Sequence, residues 1–246
     1  MKINSITCCV DFDDFLAITL PRNIRHFENT LVVTSIRDHK TQELVQQLGC
    51  QHHATDAFYR RGAAFNKGAA MEEGFDVLGR EGWICVWDCD IVMPPSISVP
   101  NPQTDCLYGP LRRILVDPRQ FSDRLDWTTC SSPTPPNEWA GYFQLFHASA
   151  LVAPWYGTGW VHAGGCDSDF QFKFQEDKLR RTPYDVLHLG PEGPPAFDRI
   201  GQNWRGRITP RIDDGEVPFL SSVRQYEMQA MVENRHHFGT SMEKLP

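Results

Sequence analysis

Trp83-Ile84-Cys85-Val86-Trp87-Asp88-Cys89-Asp90 is the stretch on which the fold turns. Its first five residues form an almost uninterrupted apolar run, which is what a central strand covered on both faces requires. The run ends in two carboxylates, at the carboxyl end of a buried strand where open α/β sheets place their ligand sites. Two hard oxygen donors so spaced suit a Mg²⁺ or Mn²⁺ ion that bridges the phosphates of a nucleotide diphosphate. Asp-X-Asp is also a common loop tripeptide, and the strand in front of it is what lends it weight.

Working outward, the first half alternates strand-like and helix-like segments, the pattern of an α/β fold. Residues 3–10 read as the first strand, 13–27 as a helix interrupted or ended near Pro21, and 30–34 as a short buried strand. Asp38 lies in a turn that opens a helix over 41–48, which Gly49 stops. Residues 51–53 supply a third strand or an extended edge. A strong helix follows over 63–78, with Phe65, Ala69, Met71, Phe75 and Leu78 available for burial. Beyond the acidic pair, 94–136 is rich in Pro, Ser and Thr, with strands expected at 106–108 and 113–116. A strand at 141–146, a Gly and Trp loop at 157–165, a helix at 168–178 and a strand at 184–189 complete the body. A polar tail from 213 carries a helix over 219–233. The expected architecture is one α/β domain with a central, mostly parallel sheet flanked by helices. Residues 1–93 form its nucleotide-binding half, 94–212 its acceptor-binding half, and 213–246 a helical tail.

With 246 residues and 41% apolar content the chain can bury one generous core, and two independent domains would be a squeeze. A charged fraction of 22% with 11% aromatics excludes disordered and fibrous classes. The net charge of −7 disfavours non-specific binding to nucleic acid. Residues 173–211 run against that balance, with eight basic side chains to five acidic ones, a patch that could meet phosphates. Eight scattered cysteines without a CxxC pair read as reduced thiols. No signal peptide and no bilayer-length apolar run is evident, so a soluble cytoplasmic protein is expected.

Two further segments carry chemistry. In Trp160-Val161-His162-Ala163-Gly164-Gly165-Cys166-Asp167-Ser168-Asp169, the double glycine would let backbone approach a substrate, and a carboxylate just beyond could accept a proton from an attacking hydroxyl. The plain alternative is a helix N-cap by Asp167 and Ser168. In Val186-Leu187-His188-Leu189-Gly190 a lone His closes a strand, as either a core residue or a metal ligand.

Taken in chain order, these motifs resemble glycosyltransferases of the glycosyltransferase-A fold, in particular family 2 and the galactosyl- and N-acetylgalactosaminyl-transferase branch. Phe65-Asn66-Lys67-Gly68-Ala69-Ala70 is similar to that family's helix start before the metal strand. The resemblance implies Mn²⁺ or Mg²⁺ held by Asp88, Asp90 and His188, and a nucleotide diphosphate sugar, of UDP by family habit, as donor. It implies Asp167 as catalytic carboxylate, with Asp169 the alternative because Cys166 directly follows the glycines. Val10, Asp11, Thr34 and Asp38 would hold the nucleoside, and Asn66 and Lys67 would sit near the base or the phosphates. A single carboxylate near the acceptor suggests inversion at the sugar carbon. The acceptor would bear a hydroxyl: a cytosolic glycan, a small molecule, or hydroxymethylated bases in DNA, which the basic stretch and the aromatic loop 155–160 keep open. Two rivals remain. A nucleotidyltransferase would want a Gly-rich basic loop after the first strand, where Val10-Asp11-Phe12-Asp13-Asp14 stands. A non-catalytic sugar-nucleotide or glycan-binding module would be betrayed by loss of Asp90 or Asp167, and both are present.

Overall fold

The structure, a computed structural model, describes residues 1–63, 65–131, 141–160, 166–190 and 211–212. The expected tail helix at 219–233 and the Gly164-Gly165 pair lie outside the described residues. Strands β1 (Ile3–Cys8), β2 (Asn29–Ser35), β3 (Gln51–Thr55), β4 (Trp83–Asp88), β5 (Ile91–Val92), β6 (Leu107–Leu115), β7 (Phe143–His147) and β8 (Leu179–Leu189) form one sheet of eight. Their order is β3-β2-β1-β4-β7-β6-β8-β5. The β3-β2-β1-β4 half is parallel, β7 pairs antiparallel with β4 and β6, β8 runs parallel to β6, and β5 closes the edge antiparallel to β8. β1, β2, β4, β6 and β8 therefore end at one edge, and the candidate residues gather there.

Helices α1 (Asp13–Asn23) and α2 (His39–Gln47) bury one face of the sheet, and α3 (Lys67–Leu78) the other. β4 is central, as its composition demands. Cys85 and Trp87 enter the core with Phe15, Leu16 and Leu20 of α1, while Ile84 and Val86 enter the opposite core with Met71 and Phe75 of α3. Asp38 caps α2 by accepting the Thr41 N–H at 3.1 Å, and Asn66 caps α3 by accepting the Ala69 N–H at 2.9 Å. α3 thus starts four residues later than the apolar spacing predicts, because the cap ends the helix where residues 57–62 wind as a 3₁₀ turn instead.

Three elements depart from the sequence reading. The strands expected at 106–108 and 113–116 are a single β6, and β8 begins at Leu179 rather than 184. The register between β6 and β8 shifts where Pro110 and Pro183 lie, so neither proline interrupts a ladder that needs its missing N–H. The helix expected over 168–178 is the short α4 (Cys166–Gln171) followed by turns. Phe170 and Phe174 both reach the core, so the helical spacing is real while the helix is not continuous.

The strand β5 positions Asp90, and α1 holds it in place. Thr19 Oγ1 donates to the Cys89 carbonyl at 2.6 Å, Asn23 Nδ2 donates to the Ile91 carbonyl at 2.7 Å, and Asn23 Oδ1 accepts the Met93 N–H at 2.9 Å. Asn23 is fully buried, so truncating it strands two backbone groups without partners. Asn23→Ala is expected to lower unfolding free energy by about 2 kcal/mol, read by urea denaturation, whereas a mere surface bond would cost under about 1 kcal/mol.

Candidate active site

The first cluster joins three elements. Lys67, at the start of α3, reaches Asp88 Oδ1 at the end of β4 at 2.9 Å and the Asp167 carboxylate of α4 at 3.2 Å. Its side chain is only 10% exposed, so the ammonium lies inside the protein. Burial alone would push its pKa down, but Asp167 and Asp88 outweigh that and hold it well above the ordinary lysine value. Asp167 is moved the other way from most paired carboxylates. Burial, aided by the Asp88 charge, raises its proton affinity against the pull of Lys67. The floor beneath Asp167 is Gly141, where a Cβ would fall 2.1 Å from the Asp167 Cγ, so only glycine allows this approach.

The second cluster is Asp90 with His188. Ile91 of β5 pairs with His188 of β8, and this register carries His188 Nε2 to 3.5 Å from Asp90 Oδ2. His188 Nδ1 lies 3.1 Å from the Gly190 carbonyl, a contact that requires an Nδ1–H, so in the neutral ring it is Nε2 that carries the lone pair. A histidine fixed in this way presents Nε2 as a metal-ligating histidine does. Asp90 Oδ1 is buried and makes no hydrogen bond. An orphaned carboxylate oxygen beside an available imidazole nitrogen fits two donors of a divalent cation. The third expected ligand is not with them. Among the described residues no group of three or more His, Cys, Asp or Glu side chains is placed to hold an ion, and Asp88 Oδ1 is occupied by Lys67.

A cavity of about 390 Å³ opens beyond the ends of β1 and β2, lined by Val10, Asp11, Ser35, Arg37, Asp38, Tyr59, Gly62 and Ala63. Asp11 holds a left-handed backbone with φ of 60°, kept there by its N–H donating to Asp38 Oδ2 at 2.8 Å. Thr34 Oγ1 donates to the same oxygen at 3.2 Å, so Thr34, fully buried and not itself in the lining, orients Asp38 in the cavity wall. Arg37 and Tyr59, which sequence reasoning missed, contribute a cation and a phenol. Burial and the nearby Asp11 charge push the Tyr59 pKa up to about 12, so the phenol remains a donor at neutral pH.

No protein-family model matches this chain, and no curated protein matches it in sequence. Similarity appears at the level of solved structures. The fold is similar to that of S. aureus TarS, with a TM-score of 0.52 and 8% identity over 96% of this chain and 45% of that one. Also similar are glucosyl-3-phosphoglycerate synthase from Mycobacterium tuberculosis in complex with Mn²⁺, UDP and phosphoglyceric acid (TM-score 0.49, 12% identity, 88% and 80% covered) and a mycobacterial protein (TM-score 0.48, 14% identity, 78% and 68% covered). At such identities the likeness is one of fold. The chain is a glycosyltransferase-A-like α/β domain.

Of the other expected residues, Asn66 and Asp169 have partners within the protein. Asn66 caps α3 with Oδ1 and donates through Nδ2 to the Thr158 carbonyl at 2.7 Å. Asp169 Oδ2 accepts from Trp160 Nε1 at 2.9 Å, which leaves Asp167 as the carboxylate facing Lys67 and Asp88. Of the basic stretch, Lys173 is engaged with the Pro154 carbonyl, Lys178 with Asp105, Arg181 with the Pro110 carbonyl and Arg211 with Asp13, while the exposed Arg180 bonds the adjacent Leu179 carbonyl and Arg199, Arg205 and Arg207 lie outside the described residues. No helix among the described residues is long and apolar enough to cross a membrane.

Lys67→Met would leave Asp88 and Asp167 facing one another without a countercharge. The substitution is expected to cost about 3 kcal/mol at neutral pH, because removing one partner strands buried charge. A carboxyl whose proton affinity is raised by folding is destabilised once ionised, so the deficit should grow as pH rises above about 4. Denaturant titrations of both proteins from acid to neutral pH check this, and a deficit independent of pH would show that the ion pairs contribute nothing.

Proposed function

We propose that this chain transfers a sugar from a nucleotide diphosphate sugar, a UDP-sugar, to the hydroxyl of an acceptor, with a divalent cation at Asp90 and His188. The observation that carries this reading is the meeting of Asp88, Lys67 and Asp167 at the sheet edge that also holds the Asp90–His188 pair and the cavity beyond β1 and β2. The cavity takes the nucleoside between Arg37 and Tyr59. In this reading Lys67, held by Asp88 and Asp167, supplies positive charge toward the diphosphate. The cation, when bound, stabilises negative charge developing on the leaving diphosphate.

Asp167 is the base in this reading. Its carboxylate accepts the proton of the acceptor hydroxyl as that oxygen attacks the anomeric carbon, the bond to the diphosphate oxygen breaks, and the configuration inverts. Asp169 accepts from the buried Trp160 ring and takes no proton in this reading. A glycan or small-molecule acceptor fits better than DNA, since Lys173, Lys178, Arg181 and Arg211 are bound within the protein and Trp155, Tyr156 and Trp160, the rings expected to stack on a base, are buried. The nucleotidyltransferase alternative finds no basic loop after β1, where Asp13 is instead paired with Arg211.

Calorimetric titration with a panel of nucleotide sugars, in Mn²⁺ and in Mg²⁺, tests the reading. Wild type should bind one donor only with metal, and Asp90→Ala and His188→Ala should each weaken that binding at least about tenfold, the usual scale for a lost metal ligand or its support. Absence of metal-dependent binding to every donor would sink the proposal. Once an acceptor is in hand, a product that keeps the donor's anomeric configuration would overturn inversion and the role of Asp167.

A further inference from the structure

Glu72 is a charged side chain on the buried face of α3, only 8% exposed, and no motif points to it. Its Oε1 accepts the backbone N–H groups of Trp155 at 2.9 Å and Tyr156 at 2.7 Å, and its Oε2 accepts from Arg80 Nη2 at 2.9 Å. The Arg80 guanidinium in turn lies 4.8 Å above the Trp155 ring and 5.3 Å from that of Phe75. A buried carboxylate with three donors is stable where a lone one would not be. Two more contacts pin the same segment to α3. Asn66 donates to the Thr158 carbonyl at 2.7 Å, and Gly68 lies so close to Gly157 that a Cβ would fall 2.0 Å from the Gly157 carbonyl oxygen.

The pinned segment leads directly to the candidate base. Tyr156 stacks on Phe170 of α4 with ring centroids 4.9 Å apart, and its hydroxyl donates to Gln144 Oε1. Gln144 is buried on β7, and its Nε2 lies 3.4 Å from the carbonyl oxygen of Asp167, a long contact. From Glu72 the contacts run through the Tyr156 backbone, the Tyr156 side chain and Gln144 to the main chain of Asp167.

We propose that Glu72, backed by Arg80, is a positioning residue for Asp167: it fixes residues 155–158 on α3 so that Tyr156 and Gln144 hold the start of α4 at the distance from which Asp167 meets Lys67 and the acceptor. The inference rests on the reading of Asp167 as the base. It explains why a charge is buried in this core at all. An apolar residue at position 72 would leave the Trp155 and Tyr156 N–H groups without partners, and the aromatic segment would lose the contacts that fix its height above the sheet.

The test uses hydrolysis of the donor identified above, with kcat, KM and nucleotide Kd measured for wild type, Glu72→Ala, Glu72→Gln and Tyr156→Phe. Glu72→Ala should lower kcat at least about tenfold, since misplacing a reacting group by about an ångström costs that or more. Its nucleotide Kd should stay within about twofold of wild type, because the nucleoside cavity is lined by residues just beyond β1, the end of β2 and the loop after it, and residues 59–63. Glu72→Gln should recover part of the rate, as an amide oxygen still accepts both N–H groups. Tyr156→Phe keeps the stacking and removes the hydroxyl, so it tests the link even if Glu72→Ala fails to fold, and it should lower kcat about fivefold. A kcat within about twofold of wild type in Tyr156→Phe, or rate losses matched by equal losses of nucleotide affinity, would overturn the proposal. If wild type neither binds nor hydrolyses any donor, the transfer reading itself fails and this inference goes with it.

Discussion

A buried ammonium between two carboxylates organises this molecule's edge. Lys67 can sit inside the protein only because Asp88 and Asp167 face it, and those two can approach each other only because Lys67 lies between them. The three come from the start of α3, the end of β4 and the start of α4, so the ion pairs tie together both halves of the chain. The sheet order puts β4 beside β7, the α3 cap ends the helix at the right residue, and Gly141 clears the floor beneath Asp167. Each of these would be of little consequence alone.

The electrostatics of the edge divide the carboxylates by environment. Asp88 and Asp167 are compensated by a protein cation, Asp38 and Asp169 by hydrogen bonds, and Asp13 by Arg211. Asp90 differs, since Oδ1 is buried without a hydrogen bond and Oδ2 faces His188 Nε2 at 3.5 Å. In the proposed reading a divalent cation supplies the countercharge at that point, whereas at Asp88 the ammonium of Lys67 already does.

Much of the fold was legible because it depends on local pattern. An apolar run with both faces buried marks β4, Asp38 and Asn66 mark helix starts through their capping oxygens, and the alternation of elements marks an α/β sheet. Of the residues expected in the site, only their placement can be read from the fold. Asp88, Asp90, Asp167 and His188 do come to one edge, but the three-ligand arrangement does not form among the described residues, since Asp88 is spent on a lysine 21 positions earlier. Arg37, Tyr59, Gly141 and Glu72 left no signal. A lone arginine, tyrosine, glycine or helical glutamate is ordinary in any sequence.

What the sequence alone determined was therefore the set of elements and the placing of acids at strand ends, since burial and capping act within a few residues. The tertiary structure decided which acid meets which partner. Lys67 chose Asp88 and Asp167, Asp169 was taken by Trp160, and the prolines of β6 and β8 were absorbed where their register shifts. Those outcomes turn on distances between residues up to 100 positions apart, such as Lys67 and Asp167. The energy of an ion pair or a buried hydrogen bond depends on such distances and on the water excluded around them, and no local pattern encodes either.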